Sequence, residues 1–469
     1  MTSEKKTVRT AVHENLVDLV LHEGTVKFLL CRDGTLSLAS VIEEHDRTLV
    51  PPELDTLPHK DQLSDADEVL REYEELVGAP TIFYAALFDE VRAAVARLSH
   101  LPDDRYYDLL TAWVLHTYLH EQSEHTPIVV LFAVPERGKS RTGKGLMFLA
   151  YRGIVVNSLR EPFIFRVADS LHAAMFFDIS RFQTVMEGSH CEDIILGRFE
   201  KNASVPRVIY PDRGPFRDTI FFNVYGPTVI GTNQGLNHIL GTRAITLTMP
   251  EASSEYATPI TREAVAHVRA KLLAFRASRM GQPLPSTEKA AKSRLGDITL
   301  PLVQITTLVQ PGKVHDLRAL IAQVEEERID EKSQTIHAEA LKALLGCAGL
   351  VSNGRVPLER VRGLVNAGRT ERTTISAPSL GRLFKSLGLS QGGRKCRTGD
   401  GKSAIPWDAD AIERVCQSYG VDPAMVKAPD LPEPPAVPSE TAVEQLGLGL
   451  ADQEDPAAPG GTMEDRDEG

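Results

Sequence analysis

Cysteine is scarce in this chain and poorly spaced for cross-linking: five in 469 residues, Cys31, Cys191, Cys347, Cys396 and Cys416, never as Cys-x-x-Cys. An odd, scattered set supports neither a disulfide framework nor a zinc cluster, so the thiols are expected to be free. Long apolar runs are missing too. No stretch reaches bilayer length, and residues 1–7 lack the apolar centre of a secretory signal. Together these absences predict a cytoplasmic protein with no membrane partner. There is also no Ser-His-Asp pattern or dinucleotide fingerprint. Excess positive charge is absent, the net being −12, which by itself argues against a nucleic-acid partner. From Lys427 onward, however, eleven acids stand against two bases, leaving only −3 for everything before.

What the chain does have is one strongly patterned stretch. An apolar run over residues 127–132 predicts a buried strand, and residues 141–152 read as a helix. Between them Ala133, four spacers, Gly138, Lys139 and Ser140 follow the phosphate-loop pattern, with alanine in place of the usual first glycine. The chemistry needs each part. Backbone N–H groups at a helix start face phosphate oxygens, an ammonium neutralises them, and a hydroxyl holds Mg²⁺. The expected nucleotide-binding set is therefore Ala133, Glu136, Arg137, Gly138, Lys139, Ser140 and Arg141, with ATP and Mg²⁺ as cofactors. A second frame, Gly138 to Lys144, ends in Gly145 and offers no hydroxyl.

Thirty-nine residues after Lys139, the apolar segment 173–177 ends in Asp178, the expected second metal ligand beside Ser140. The next position, where many such enzymes carry a water-activating glutamate, is Ile179; Glu136, Glu187 and Glu192 are alternatives. The strand over 227–232 ends in Asn233, placed to hold the attacking water or sense the γ-phosphate. Arg243 opens the strand 244–249 and can stabilise transition-state charge, on a neighbouring subunit's nucleotide. The expected catalytic set is Lys139, Asp178, Asn233 and Arg243. Residues 204–210 and 218–224 predict a hairpin with Arg207, Arg213 and Arg217 near its tip, read either as a solvated loop or as a contact to nucleic acid or another subunit. His116 and His120, at i and i+4 of a helix expected over 106–121, have a metal-compatible spacing with nothing else to support it.

This order of motifs resembles the primase-linked, helicase-like P-loop ATPases of phages, plasmids and integrative elements, and more distantly the superfamily III and AAA+ helicases. The resemblance covers about residues 105–420. It implies an oligomeric ATPase working at DNA, with Asn233 as sensor and Arg243 as finger, and a helical lid joined to the core near Arg294. No primase metal cluster is evident in the first 100 residues.

Residues 337–424 look like a winged helix. Ser376 would cap a recognition helix with Leu380, Leu383, Phe384 and Leu387 on one face, followed by a basic wing. Between Arg355 and Arg414 twelve basic residues stand against six acids, so Arg382, Lys385, Arg394, Lys395, Arg397 and Lys402 are expected to touch DNA phosphates. The tail is Pro-rich and acidic, and disorder is expected there. Within it Gln445, Leu446, Leu448 and Leu450 resemble peptides that dock on the bacterial sliding clamp.

The expected fold class is thus α/β: a P-loop NTPase core of parallel sheet and flanking helices, with a helical lid, a C-terminal winged helix and a disordered acidic tail. The expected division is a β-containing region (1–62), a helical lead-in (63–126), the ATPase core (127–252), the lid (253–336), the winged helix (337–424) and the tail (425–469). The function expected is an ATPase that unwinds or remodels DNA in replication of a mobile element. A nucleotide-switched DNA-binding protein and a defence-system ATPase fit the same motifs.

Overall fold

Two small sheets occupy the first fifty residues. β1 (Lys6–Arg9), β5 (Ile42–Glu43) and β6 (Arg47–Val50) form one in the order β1-β6-β5, and β2 (Leu16–His22), β3 (Thr25–Arg32) and β4 (Thr35–Ala39) form the other. The Asp33-Gly34 turn between β3 and β4 has positive φ at both residues, 49° and 74°, as a two-residue hairpin needs. β2 carries no alternating signal because Leu16 to Val20 are all buried. The structure is a computed structural model and describes residues 5–251, 261–370, 373–389, 396–399 and 401–422; the peptide Gln445 to Leu450 and the basic pair Arg394 and Lys395 lie outside them.

The helical lead-in expected over 63–126 opens with two helices, α1 (Ala66–Gly78) and α2 (Pro80–Ala96). Proline has no N–H to give and pushes the residue before it out of the helical region, so Ala79 sits at φ −152°, ψ 65° and the chain turns there. α3 (Arg105–Thr117) follows, buried along nearly its whole length.

The central element is a five-stranded parallel sheet of β7 (Ile128–Phe132), β8 (Ile154–Val156), β9 (Met175–Asp178), β12 (Thr228–Thr232) and β13 (Ala244–Thr248), in the order β13-β7-β12-β9-β8. Between the first three run α4 (Lys139–Leu149) and α5 (Glu161–Leu171). Beyond β9 come α6 (Phe182–Gly188), α7 (Glu192–Gly197) and a hairpin of β10 (Ser204–Val208) with β11 (Thr219–Asn223). The short α8 (His238–Thr242) leads into β13. This is a P-loop-like core. In register, Phe132 lies opposite both Thr232 and Thr248, and Gly231 opposite Asp178, so four strands end together at one edge.

α9 (Ala266–Arg279), α10 (Ser293–Val309) and α11 (Val314–Ser333) complete this part of the chain. One continuous hydrophobic core runs from Ala11 to Val324, so the N-terminal strands, the helices α1 to α3 and the parallel sheet are cemented together. Phe176 and Phe177 are fully buried in it, each contributing about 2–3 kcal/mol of transfer free energy. Two compact units result, Met1–Arg328 and Ile329–Gly469.

The second unit has its own core from Ala338 to Val421. It contains α12 (Ile336–Gly346), α13 (Leu358–Val365), α14 (Ala377–Ser386) and α15 (Ala409–Ser418), with β14 (Arg355–Pro357) paired antiparallel to β15 (Ala404–Pro406). No helix among the described residues is long and apolar enough to cross a membrane.

Candidate functional site

The loop from Ala133 to Gly138 leaves the C-terminal end of β7 and feeds α4. Gly138 is the N-cap at φ 80°, a left-handed conformation that favours glycine, and no side chain caps the first turn. Its N–H groups and the helix dipole are therefore left for an anion. The Lys139 ammonium donates to the carbonyls of Ala133 and Val134, 2.8 Å each, which draws it across the loop mouth. Partial burial disfavours its charged form and the Asp178 carboxylate opposes that effect.

Ser140 Oγ donates to Asp178 Oδ1 over 2.9 Å. A hydroxyl and a carboxylate are oxygen donors of the kind Mg²⁺ takes, and here they stand together at the loop. Asn233 follows β12, the strand between β7 and β9, so it sits between the loop and Asp178. Its backbone N–H donates to the Ser180 carbonyl over 2.8 Å. Its side-chain Oδ1 is buried with no hydrogen-bond partner, an orphaned acceptor that a water or hydroxyl would satisfy.

The remaining loop residues divide. Glu136 is exposed at the loop tip with φ 68°. Arg137 is ion-paired to Glu251 at 3.1 Å. Arg141 is turned away from the loop mouth: Nε donates to the Leu98 carbonyl (2.7 Å) and Nη2 to that of Arg97 (3.2 Å), tying α4 to the end of α2. The second phosphate-loop frame fails because Gly143 and Lys144 lie inside α4, where Gly143 faces the Phe176 ring.

Motif reading misses the residues that brace the loop. Ser99 accepts from Thr142 Oγ1 at 2.6 Å, and a side chain on Gly138 would meet Ser99 and Met249. They are distant in sequence and carry no motif. Ile179 belongs to the hydrophobic core, which accounts for an apolar residue at a position where many such enzymes carry an acid.

Arg243 lies at the other edge of the sheet. It immediately precedes Ala244, which pairs with Ile128, the first residue of β7. Arg207 lies near the hairpin tip, one residue before the last pair of β10 and β11, Val208 with Thr219, and it is ion-paired to Glu161 and to Asp193 (3.2 Å). The tip carries Arg213, stacked 3.6 Å from the Tyr210 ring centroid, and a fully exposed Phe216. His116 bonds Thr126 Oγ1 and His120 bonds the Thr117 carbonyl, 2.9 Å each, so both are core residues. Burial lowers the pKa of each, that of His116 to about 3.

In the second unit Ser376 accepts from the Ser379 N–H and caps α14. Leu380 and Phe384 face the core, while Arg382 and Lys385 are exposed on the opposite side. Arg397 and Lys402 are exposed around a turn closed by the Thr398 N–H on the Lys402 carbonyl, 2.8 Å.

No protein-family model and no curated protein matches the chain. Among solved structures, the apo A form of the NrS-1 C-terminal region aligns over 83% of this chain and 96% of its own, at 10% identity and a TM-score of 0.35. Cdc6p from Pyrobaculum aerophilum aligns over 68% and 94%, at 13% identity and a TM-score of 0.21. At those scores the functional reading stands on the site's own geometry.

Proposed function

We propose that this chain is a Mg²⁺-dependent ATPase that couples hydrolysis to unwinding or remodelling of DNA. The observation that carries it is the 2.9 Å contact of Ser140 with Asp178 beside an uncapped helix start. In this reading the loop N–H groups and Lys139 hold the β- and γ-phosphates, Ser140 and Asp178 hold the metal, and Asn233 Oδ1 orients the water. The metal, when bound, neutralises charge on the phosphate oxygens.

Action on DNA is supported by two surfaces. Arg382 and Lys385 project from the outer side of α14, the expected recognition helix of a winged helix, and the β10–β11 hairpin presents Phe216 and the Tyr210–Arg213 stack, groups suited to bases and phosphates. Burial of Ile179 favours a second reading, a nucleotide switch with slow turnover. Steady-state hydrolysis without DNA, with single strands and with duplex, beside Lys139→Ala, separates the two. DNA-stimulated turnover lost in the variant supports the motor; tight ATP binding with negligible turnover supports the switch; turnover unchanged in Lys139→Ala removes both.

A further inference from the structure

A cleft of about 330 Å³ opens at the far end of α4 from the phosphate loop, a volume at the lower end of the range of small-molecule sites. Its walls come from the segment before β2, from Gln122 just past α3, from Tyr151 and Arg152 between α4 and β8, from His172 at the end of α5, and from Arg276 of α9. The eleven residues of α4 set it about 16 Å from the loop, at ~1.5 Å per residue.

Arg152 is firmly held and still one partner short. Nε donates to Asp18 Oδ1 (2.7 Å) and Nη1 to the carbonyls of Ala11 (2.8 Å) and Leu171 (2.9 Å). Nη2, on a residue only 4% exposed, is buried with no acceptor. Gln122 presents the converse. Its Nε2 donates to the Arg279 carbonyl over 2.9 Å, which fixes the orientation of the amide, and its Oε1 is buried with no donor. The His172 ring makes no hydrogen bond among the described residues. Arg152 and His172 both hold positive φ, 47° and 50°, a left-handed conformation unfavourable for any residue with a side chain. An orphaned donor, an orphaned acceptor and an imidazole along one cleft are groups that a bound ligand satisfies.

The charges along the wall cancel, which selects an uncharged ligand. Arg152 faces Asp18, and Arg276 faces Glu121 through two bonds, 2.9 and 2.8 Å. An anion would also meet the exposed Glu14, and a cation would meet both guanidiniums. Burial lowers the His172 pKa to about 4, so its ring is neutral at neutral pH. The two guanidinium carbons lie 4.8 and 4.5 Å from the Tyr151 ring centroid, and Leu16, Leu119 and Met280 add apolar surface. We propose that this cleft is a site for an uncharged nucleobase or nucleoside, whose ring carbonyl or ring nitrogen accepts from Arg152 Nη2 and whose N–H donates to Gln122 Oε1. Such a ring is small and flat, carries both kinds of group on its edge, and is held elsewhere by this combination of polar contacts and apolar walls. The proposal does not rest on the ATPase reading.

The test titrates the full-length chain, labelled at its methionine methyl groups, with uracil, uridine, adenosine and guanosine, and with uridine monophosphate and glutamate as charged counterparts. The methyl resonance of Met280, identified by its loss in Met280→Leu, reports on the cleft itself. At least one uncharged probe is expected to move that resonance saturably, with the charged probes binding several-fold more weakly. Uracil binding as well as uridine assigns the site to the base; uridine binding alone assigns it to the nucleoside. Gln122→Met keeps the stem and removes the acceptor, and is expected to weaken binding roughly tenfold. His172→Gly relieves the left-handed strain, is expected to melt near the wild-type temperature, and should also weaken binding several-fold. Lys139→Ala, which alters only the phosphate loop, is expected to bind these probes like wild type. A Met280 resonance that no uncharged probe moves, a charged probe that binds more tightly, affinity unchanged in both cleft variants, or binding lost in Lys139→Ala overturns the proposal.

Discussion

Ser140 and Asp178 are 38 residues apart in the chain and 2.9 Å apart in space. Ser140 lies in the first turn of α4 and Asp178 ends β9, and both elements meet the same edge of one parallel sheet. Ligands gather at that edge in open α/β sheets because helix starts and strand ends converge there.

Asp178→Asn keeps the shape and removes the charge. Turnover is expected to fall by about 10²-fold or more, and the gain in ATP affinity on adding Mg²⁺ is expected to vanish. Calorimetric titration of ATP with chelator and with Mg²⁺ checks this. An unchanged Mg²⁺ effect would release Asp178 from the metal role.

Gly143 is where α4 lies closest to the sheet: an added Cβ would come within 2.2 Å of the Phe176 ring. Gly143→Ala is therefore expected to cost about 1–3 kcal/mol of overpacking, against a helix-propensity gain of up to ~1 kcal/mol. The exposed neighbour Lys144→Ala should stay within about 0.5 kcal/mol of wild type. Urea unfolding compares them, and equal stabilities would mean that α4 does not seat on the sheet this way.

His116 is buried, and desolvation lowers its pKa from 6.5 to about 3. Between those values the unfolded chain takes up a proton that the folded chain refuses, so stability is fully present above about pH 6.5 and falls as pH drops toward 3. His59 and His172, each lowered to about 4, act in the same direction. His116→Gln can keep a bond to Thr126 and should reduce the acid-side slope by about 1.4 kcal/mol per pH unit. Denaturant unfolding at pH 7, 6 and 5 measures it; an unaltered slope would mean His116 is protonated in the fold.

Arg382→Ala with Lys385→Ala is expected to weaken DNA binding and to flatten the plot of log affinity against log salt by about 2, one for each phosphate no longer neutralised. Fluorescence anisotropy with labelled duplex at several salt concentrations reads it. Unchanged affinity and slope would leave α14 with a protein-contact role.

Much of the site is legible in the sequence because its parts are local. The strand before the loop, Gly138 at the helix start and the acid after an apolar run each announce themselves within ten residues. β2 is illegible because cover on both sides of Leu16 to Val20 erases the alternation that marks a strand. Pro80 alone signals the break at Ala79, and charged and apolar periodicity continuing across it hides the signal. Arg141 follows the loop in sequence and looks like part of it, yet the carbonyls of Arg97 and Leu98 hold its guanidinium. Arg207 reads as a solvated or contact residue near the hairpin tip, yet Glu161 on α5 and Asp193 on α7 pair with it.

The sequence by itself determined the strand–loop–helix turn at Gly138, the strand ends carrying Asp178 and Asn233, and the apolar face of α14, because hydrophobic period and backbone conformation are short-range properties of the chain. Only the tertiary structure decided which strand ends stand side by side, that Arg243 sits at the edge away from its own loop, and that Arg152, Gln122 and His172 line one cleft. Those relations depend on strand order and on packing between residues dozens of positions apart, and no local pattern encodes them.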